Sequence, residues 1–106
     1  MTEEKSILLE AQDITHGARR AAYGHPADDY QRTAAMVSAM LAHKLKAPIT
    51  PAEMTMVMCC VKLSRQINKP GRDNMLDLAG YAWCTQEILE EMERRKVDTV
   101  TVEAQT

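Results

Sequence analysis

A chain of 106 residues carrying 13 Lys and Arg against 15 Asp and Glu, net charge −2, has the length of one domain. It lacks the basic excess of a dedicated nucleic-acid binder. No apolar run approaches the ~20 residues that cross a bilayer, and the acidic start MTEEKSILLEAQD has no basic region ahead of its short apolar run, so it does not read as a secretory signal. With no Phe, one Trp, three Tyr and eight Met, the core must be filled by Ala, Leu, Met and Val. That supply favours helices over strands.

Four helices are expected. The first covers about residues 4–21, with Ile7, Ala11, Ile14 and Ala18 at helical spacing. Gly17 weakens it locally, and Ala22-Tyr23-Gly24-His25 breaks it. His25 then reads as a loop or cap residue and Arg19-Arg20 as a solvated helix end. Pro26 suits the first turn of helix two, and Asp28 and Asp29 suit its positive end. That helix is expected to reach about Ala47 with Tyr30, Val37, Met40, Leu41 and Leu45 on one side.

Thr50-Pro51-Ala52-Glu53 is the clearest local signal, a capping box with Pro at the first helical position. Helix three therefore spans about residues 51–68. From Met54 to Val61 it is apolar nearly all round, which predicts the central, most buried helix. Lys69-Pro70-Gly71-Arg72 is a tight turn. Helix four starts near Asp73 and ends near Arg95, with the acidic run Glu87 to Glu93 as a wet face. The domain is expected to close at residue 96. The tail 97–106 is expected to be disordered or a short extended arm. Cys59, Cys60 and Cys84, an odd number all on helices, read as reduced cytosolic thiols that fill the core.

The stretch from Lys62 to Ala82 concentrates the chemistry. Short connections make sequential helices antiparallel, so helix three ends where helix four begins. Lys62 and Arg65 stand at i and i+3. Asp73 and Asp77 stand at i and i+4, and Asp77 shares its stripe with Tyr81, Cys84 and Ile88. Charges on core helices are costly unless paired or used. One use is anion binding. Lys62 and Arg65 would hold phosphate oxygens, with Arg72 and the first amides of helix four assisting and Tyr23 stacking on a base or ribose. A second use is metal-assisted hydrolysis, with Asp73 and Asp77 joined by Glu10, Asp13, Asp28 or Asp29 around Mg²⁺. The third reading is structural: Asp73 caps, Asn74 supports the turn, and Asp77 only pairs with Lys62 or Arg65.

The order Tyr23-Gly24, Thr50-Pro51, K-x-x-R from Lys62 to Arg65 and D-N-x-x-D-x-A-G-Y-A from Asp73 to Ala82 resembles a small uncharacterised family of phages, prophages and actinobacteria. More distantly it is similar to a domain associated with phage nucleotide modification, and through both to the MazG-like all-α nucleoside triphosphate pyrophosphohydrolases. The resemblance covers about residues 6–90. It implies an all-α four-helix bundle of MazG-like type, oligomeric, in the cytoplasm of a host cell, with Asp73 and Asp77 matching the later acidic pair of a Mg²⁺ site. The earlier acidic pair has no match: Lys62 and Arg65 stand where acids are wanted, and Glu10 and Asp13 form an E-x-x-D pair elsewhere in the order.

Two cations facing two carboxylates compete with Mg²⁺ for the same oxygens. The expectation is therefore a protein that holds a phosphorylated nucleotide through Tyr23, Lys62, Arg65, Arg72, Asp73, Asn74, Asp77 and Tyr81. In a phage that protein would sequester a nucleotide signal. The alternatives are the Mg²⁺-dependent pyrophosphohydrolase and a structural helical interaction module. The partners expected are a small-molecule nucleotide and further copies of the chain, with neither membrane nor nucleic-acid polymer.

Overall fold

The computed structural model describes the backbone of residues 5–105 and the side chains of residues 5–97. Five α-helices follow one another: α1 (Ile7–His16), α2 (Ala18–Tyr23), α3 (Pro26–Met40), α4 (Pro51–Asn68) and α5 (Arg72–Gln105). Among the described residues the chain is all-helical.

The expected first helix is divided at Gly17, whose backbone leaves helical geometry. Gly24 ends α2 at a φ of 77°. α3 opens as its sequence predicts. Nδ1 of His25 accepts from the amide of Ala27 at 3.0 Å, and Pro26 takes the first turn. It closes at Met40, well short of Ala47, and the chain then turns back. The hydroxyl of Ser38 fixes that return by accepting from the amide of Ile49 at 2.8 Å.

The capping box of α4 is complete. Thr50 Oγ1 accepts from the Glu53 amide at 3.1 Å, and Glu53 Oε1 accepts from the Thr50 amide at 2.9 Å. The connection to α5 is held by the side chains of Gln66 and Asn74. Gln66 Oε1 accepts from the Gly71 amide at 2.9 Å and from Asn74 Nδ2 at 3.2 Å. α5 runs past the expected end near Arg95, and its backbone is helical to Gln105 through the segment expected as a tail.

The core is built where small residues let helices approach. Ala27, Tyr30 and Ala34 of α3, Ala52 and Met54 of α4 and Ile88 of α5 form one cluster, with Val37, Ile49, Met58 and Tyr81 packed on it. Burying a side chain such as Ile88 contributes about 1.5–3 kcal/mol, and Ile88 is fully buried. Thr55 is equally buried. It satisfies its hydroxyl on the Ala52 carbonyl at 2.9 Å and shares a 2.6 Å hydrogen bond with Thr85 across the α4–α5 contact.

α4 is not the buried centre that its composition predicts. Its buried side chains are Pro51, Ala52, Met54 and Thr55, while Met56, Val57, Leu63 and Ile67 are exposed. Cys60 is exposed and Cys59 half-buried, so of the three thiols only Cys84 is a core residue. On α1 the buried pair is Ala11 and Thr15, and Ile14 is partly exposed.

Candidate functional site

Four elements meet around a cavity of about 280 Å³ lined by Ala11, Ile14 and Thr15 of α1, Arg19 of α2, Lys62 of α4, and Leu76, Asp77, Gly80, Tyr81 and Cys84 of α5. The hairpin of α4 and α5 does bring one predicted pair of charges together. Lys62 Nζ lies 2.9 Å from Asp77 Oδ2. The ammonium is the more enclosed partner, with 13 % of its side chain exposed against 41 % for the carboxylate. A lysine drawn inside on its four-carbon stem needs an anion there, and Asp77 provides one.

Arg19 is the second cation of the cavity. Its guanidinium donates to the Tyr30 hydroxyl at 2.8 Å. It also lies 5.3 Å from the Tyr23 ring centre and 5.7 Å from that of Tyr81, both within cation–π range. Tyr81 stands edge-on to Tyr30 at 6.2 Å between centroids. Burial acts to lower the Arg19 pKa, but Tyr30 and Tyr81 outweigh it and the net shift is upward. Burial pushes the Tyr30 phenol well above its ordinary range. Arg19 therefore stays charged and Tyr30 stays neutral. Burial likewise raises the Cys84 thiol, which keeps it protonated and poorly nucleophilic.

Of the residues predicted for the site, Lys62, Asp77 and Tyr81 line this cavity. Tyr23 is largely exposed and joins through Arg19. The others lie elsewhere. Arg65 is exposed and does not reach the cavity. Arg72 turns to the start of α1, 2.7 Å from Glu10 Oε2 and donating to the Lys5 carbonyl at 2.9 Å. Asp73 is exposed in the first turn of α5. Asn74 braces the turn through Gln66, as the structural reading expects.

The acids proposed for a metal are not gathered. Glu10 is held by Arg72 and Asp13 by Lys5, while Asp28 pairs with Arg95 at 2.9 Å. No group of three or more His, Cys, Asp or Glu suited to a metal occurs among the described residues.

Two readings of charge need correction. Arg19 and Arg20 are not a solvated helix end. Arg19 faces the cavity, and Arg20 hydrogen-bonds Glu87 of α5. Glu87 is correspondingly not part of a wet face but buried, with His25 Nε2 3.6 Å from the same oxygen. The signal for Arg19 is present in the sequence. Ala11, Thr15 and Arg19 recur at intervals of four, the stripe that α1 buries, and the break at Gly17 hides the third member.

An all-α domain with a two-cation, tyrosine-walled cavity between α1, α2, α4 and α5 is thus defined. The chain belongs to the family described as a domain of unknown function (DUF6378), which it matches over residues 6–89. It is 36 % identical over 101 residues to the "Gene 55 protein" of Mycobacterium phage D29, covering 91 % of this chain and 64 % of that protein. The family thus extends to a phage, and this chain spans just under two thirds of the length of that relative. No solved structure matches it. No helix among the described residues is long and apolar enough to cross a membrane.

Proposed function

We propose that this protein binds a phosphorylated nucleotide in the cavity between Arg19 and Lys62. The observation that carries the reading is the convergence of two cations from separate helices on a cavity holding one carboxylate, Asp77, with Tyr81 in its wall. Arg offers a planar fork of donors to phosphate oxygens and Lys a mobile point charge. Tyr81 and Tyr23 supply faces on which a base or sugar can lie. At about 280 Å³ the cavity lies just below the roughly 300–1,000 Å³ of ligand sites, so it has room for no more than one small ligand such as a mononucleotide.

The MazG-like likeness of the K-x-x-R and D-N-x-x-D motifs belongs to this proposal as its evolutionary side. Hydrolysis has less support than binding, because Glu10, Asp13 and Asp77 each already face a cation. In a phage setting such a protein would sequester a nucleotide made by its host.

Titration calorimetry of the full chain against nucleoside mono-, di- and triphosphates, with and without Mg²⁺, tests this. One class is expected to bind without product forming, and Arg19→Ala to weaken it at least tenfold. Release of pyrophosphate, abolished in Asp77→Asn, would transfer the site to the hydrolase reading. No heat with any nucleotide would leave the charges as structural pairs.

A further inference from the structure

The cavity limits how much negative charge its ligand can bring. Two cations line it, Arg19 and Lys62, against one anion, Asp77. The other lining residues are of uncharged types, and burial keeps the Cys84 thiol protonated. The lining therefore carries a single net positive charge. Arg20 and Glu87 pair with each other outside it and leave that balance unchanged. Neither cation of the cavity is bare. Lys62 Nζ stands 2.9 Å from Asp77 Oδ2, and Arg19 already donates to the Tyr30 hydroxyl at 2.8 Å. A ligand oxygen that reaches Lys62 also comes near the Asp77 carboxylate and is repelled by it. The Lys62 ammonium is largely enclosed, so salt screens it less than a surface charge.

We propose that the ligand of this cavity is a phosphodiester, whose phosphate carries one negative charge, and that Asp77 sets this selectivity. The proposal rests on the nucleotide-binding reading above and narrows it. A phosphodiester matches the single net positive charge and presents two non-bridging oxygens to two cations. A phosphomonoester carries about −1.5 to −2 at pH 7, and further phosphates add more. The excess finds no partner in the lining, and an uncompensated charge in an enclosed site is costly. Asp77 acts by offsetting Lys62, so it selects by charge without holding the ligand itself. Size points the same way. With about 280 Å³ available, a cyclic mononucleotide is a compact molecule that joins one diester to one base.

Calorimetry of the full chain at neutral pH tests this with matched ligands. Each common ribonucleoside is offered as its monophosphate, as the methyl ester of that monophosphate and as its cyclic mononucleotide. For a base that binds, both diesters are expected to bind about tenfold tighter than the monophosphate. A gain by the cyclic form that the methyl ester lacks means that shape selects, and overturns the charge argument. Asp77→Asn leaves two cations without an anion, and the preference should pass to the monophosphate. Lys62→Met combined with Asp77→Asn leaves Arg19 alone, so the preference for diesters should return at lower affinity. Replacing both members of an ion pair is usually tolerated, so the double variant keeps the test open if the single one unfolds; helical circular dichroism checks both. A preference that is the same in all three proteins overturns the role of Asp77. Tighter binding of the monophosphate by the unaltered chain overturns the phosphodiester proposal and leaves the nucleotide reading standing. No heat with any of these ligands overturns both.

Discussion

Glu87 shows how one side chain can tie three segments together. It lies on α5, hydrogen-bonds Arg20 of α2 and faces His25, which caps α3. Its second oxygen and Nε of Arg20 are buried without a hydrogen bond. Glu87→Ala strands the guanidinium and is expected to cost about 2–3 kcal/mol in a urea unfolding series. That is below the ~3–5 kcal/mol of fully buried pairs, because 33 % of the Arg20 side chain still meets solvent. A loss under about 0.5 kcal/mol, the range of ordinary surface substitutions, would show that the pair is solvated. Asp77→Asn works in the opposite sense at the cavity. It removes the carboxylate that neutralises Lys62 and frees the ammonium for an anion. Under the binding reading, nucleotide affinity rises several-fold by calorimetry; a fall would mean that Asp77 itself contacts the ligand. The Lys62–Asp77 meeting was legible because a hairpin with a Pro-Gly turn dictates it. Arg19 and Arg20 were not, because adjacent residues sit about 100° apart on a helix. Two neighbouring arginines can therefore serve two different partners while looking like one charged end.

Local signals were most readable where backbone and side chain agree. The capping box of α4 and the His25-Pro26 start of α3 satisfy amides with residues one turn away, so neither needs tertiary context. The first helix was harder, because its division depends on Gly17. A Cβ there would sit 2.8 Å from the Asp13 carbonyl oxygen, so only glycine allows the chain to break at that point. The burial of α4 was misjudged for a related reason. A helix apolar all round gives no periodicity from which to choose a buried side, and the choice fell to Ala52 and Thr55, whose small side chains fit the crossing. α2, which carries Arg19, Arg20 and Tyr23, thus hangs between two glycines. Gly24 holds φ 77° and ψ −162°, a region nearly reserved for glycine. Gly24→Ala has free space around the new methyl, so its cost is backbone strain alone, about 1–3 kcal/mol. Thermal unfolding should show the loss. An unchanged midpoint would mean that α2 re-seats without strain.

The molecule as a whole is an elongated body of 62 × 35 × 19 Å organised by α5. Each ion pair between helices described above has one end on that helix: Arg72 with Glu10, Asp77 with Lys62, Glu87 with Arg20 and Arg95 with Asp28. With an aromatic-poor core, such pairs and caps make stability sensitive to acid. The hydrogen bond from Arg95 lowers the Asp28 pKa below its ordinary 3.8. The hydrogen bonds of the capping box lower Glu53 below 4.5. A carboxyl with a depressed folded-state pKa takes up its proton more readily when unfolded, so protons favour unfolding. The contribution of both groups is therefore complete above about pH 4.5 and is lost as the pH falls through their folded values. Both side chains are exposed, so the slope is shallow and salt reduces it further. Thermal melts from neutral pH downward should show a level midpoint that starts to fall near pH 4.5. Gln at position 53 and Asn at position 28 should flatten that fall while lowering the neutral-pH plateau. A midpoint that rises on acidification through this window would mean that charge repulsion, and not these contacts, controls the fold.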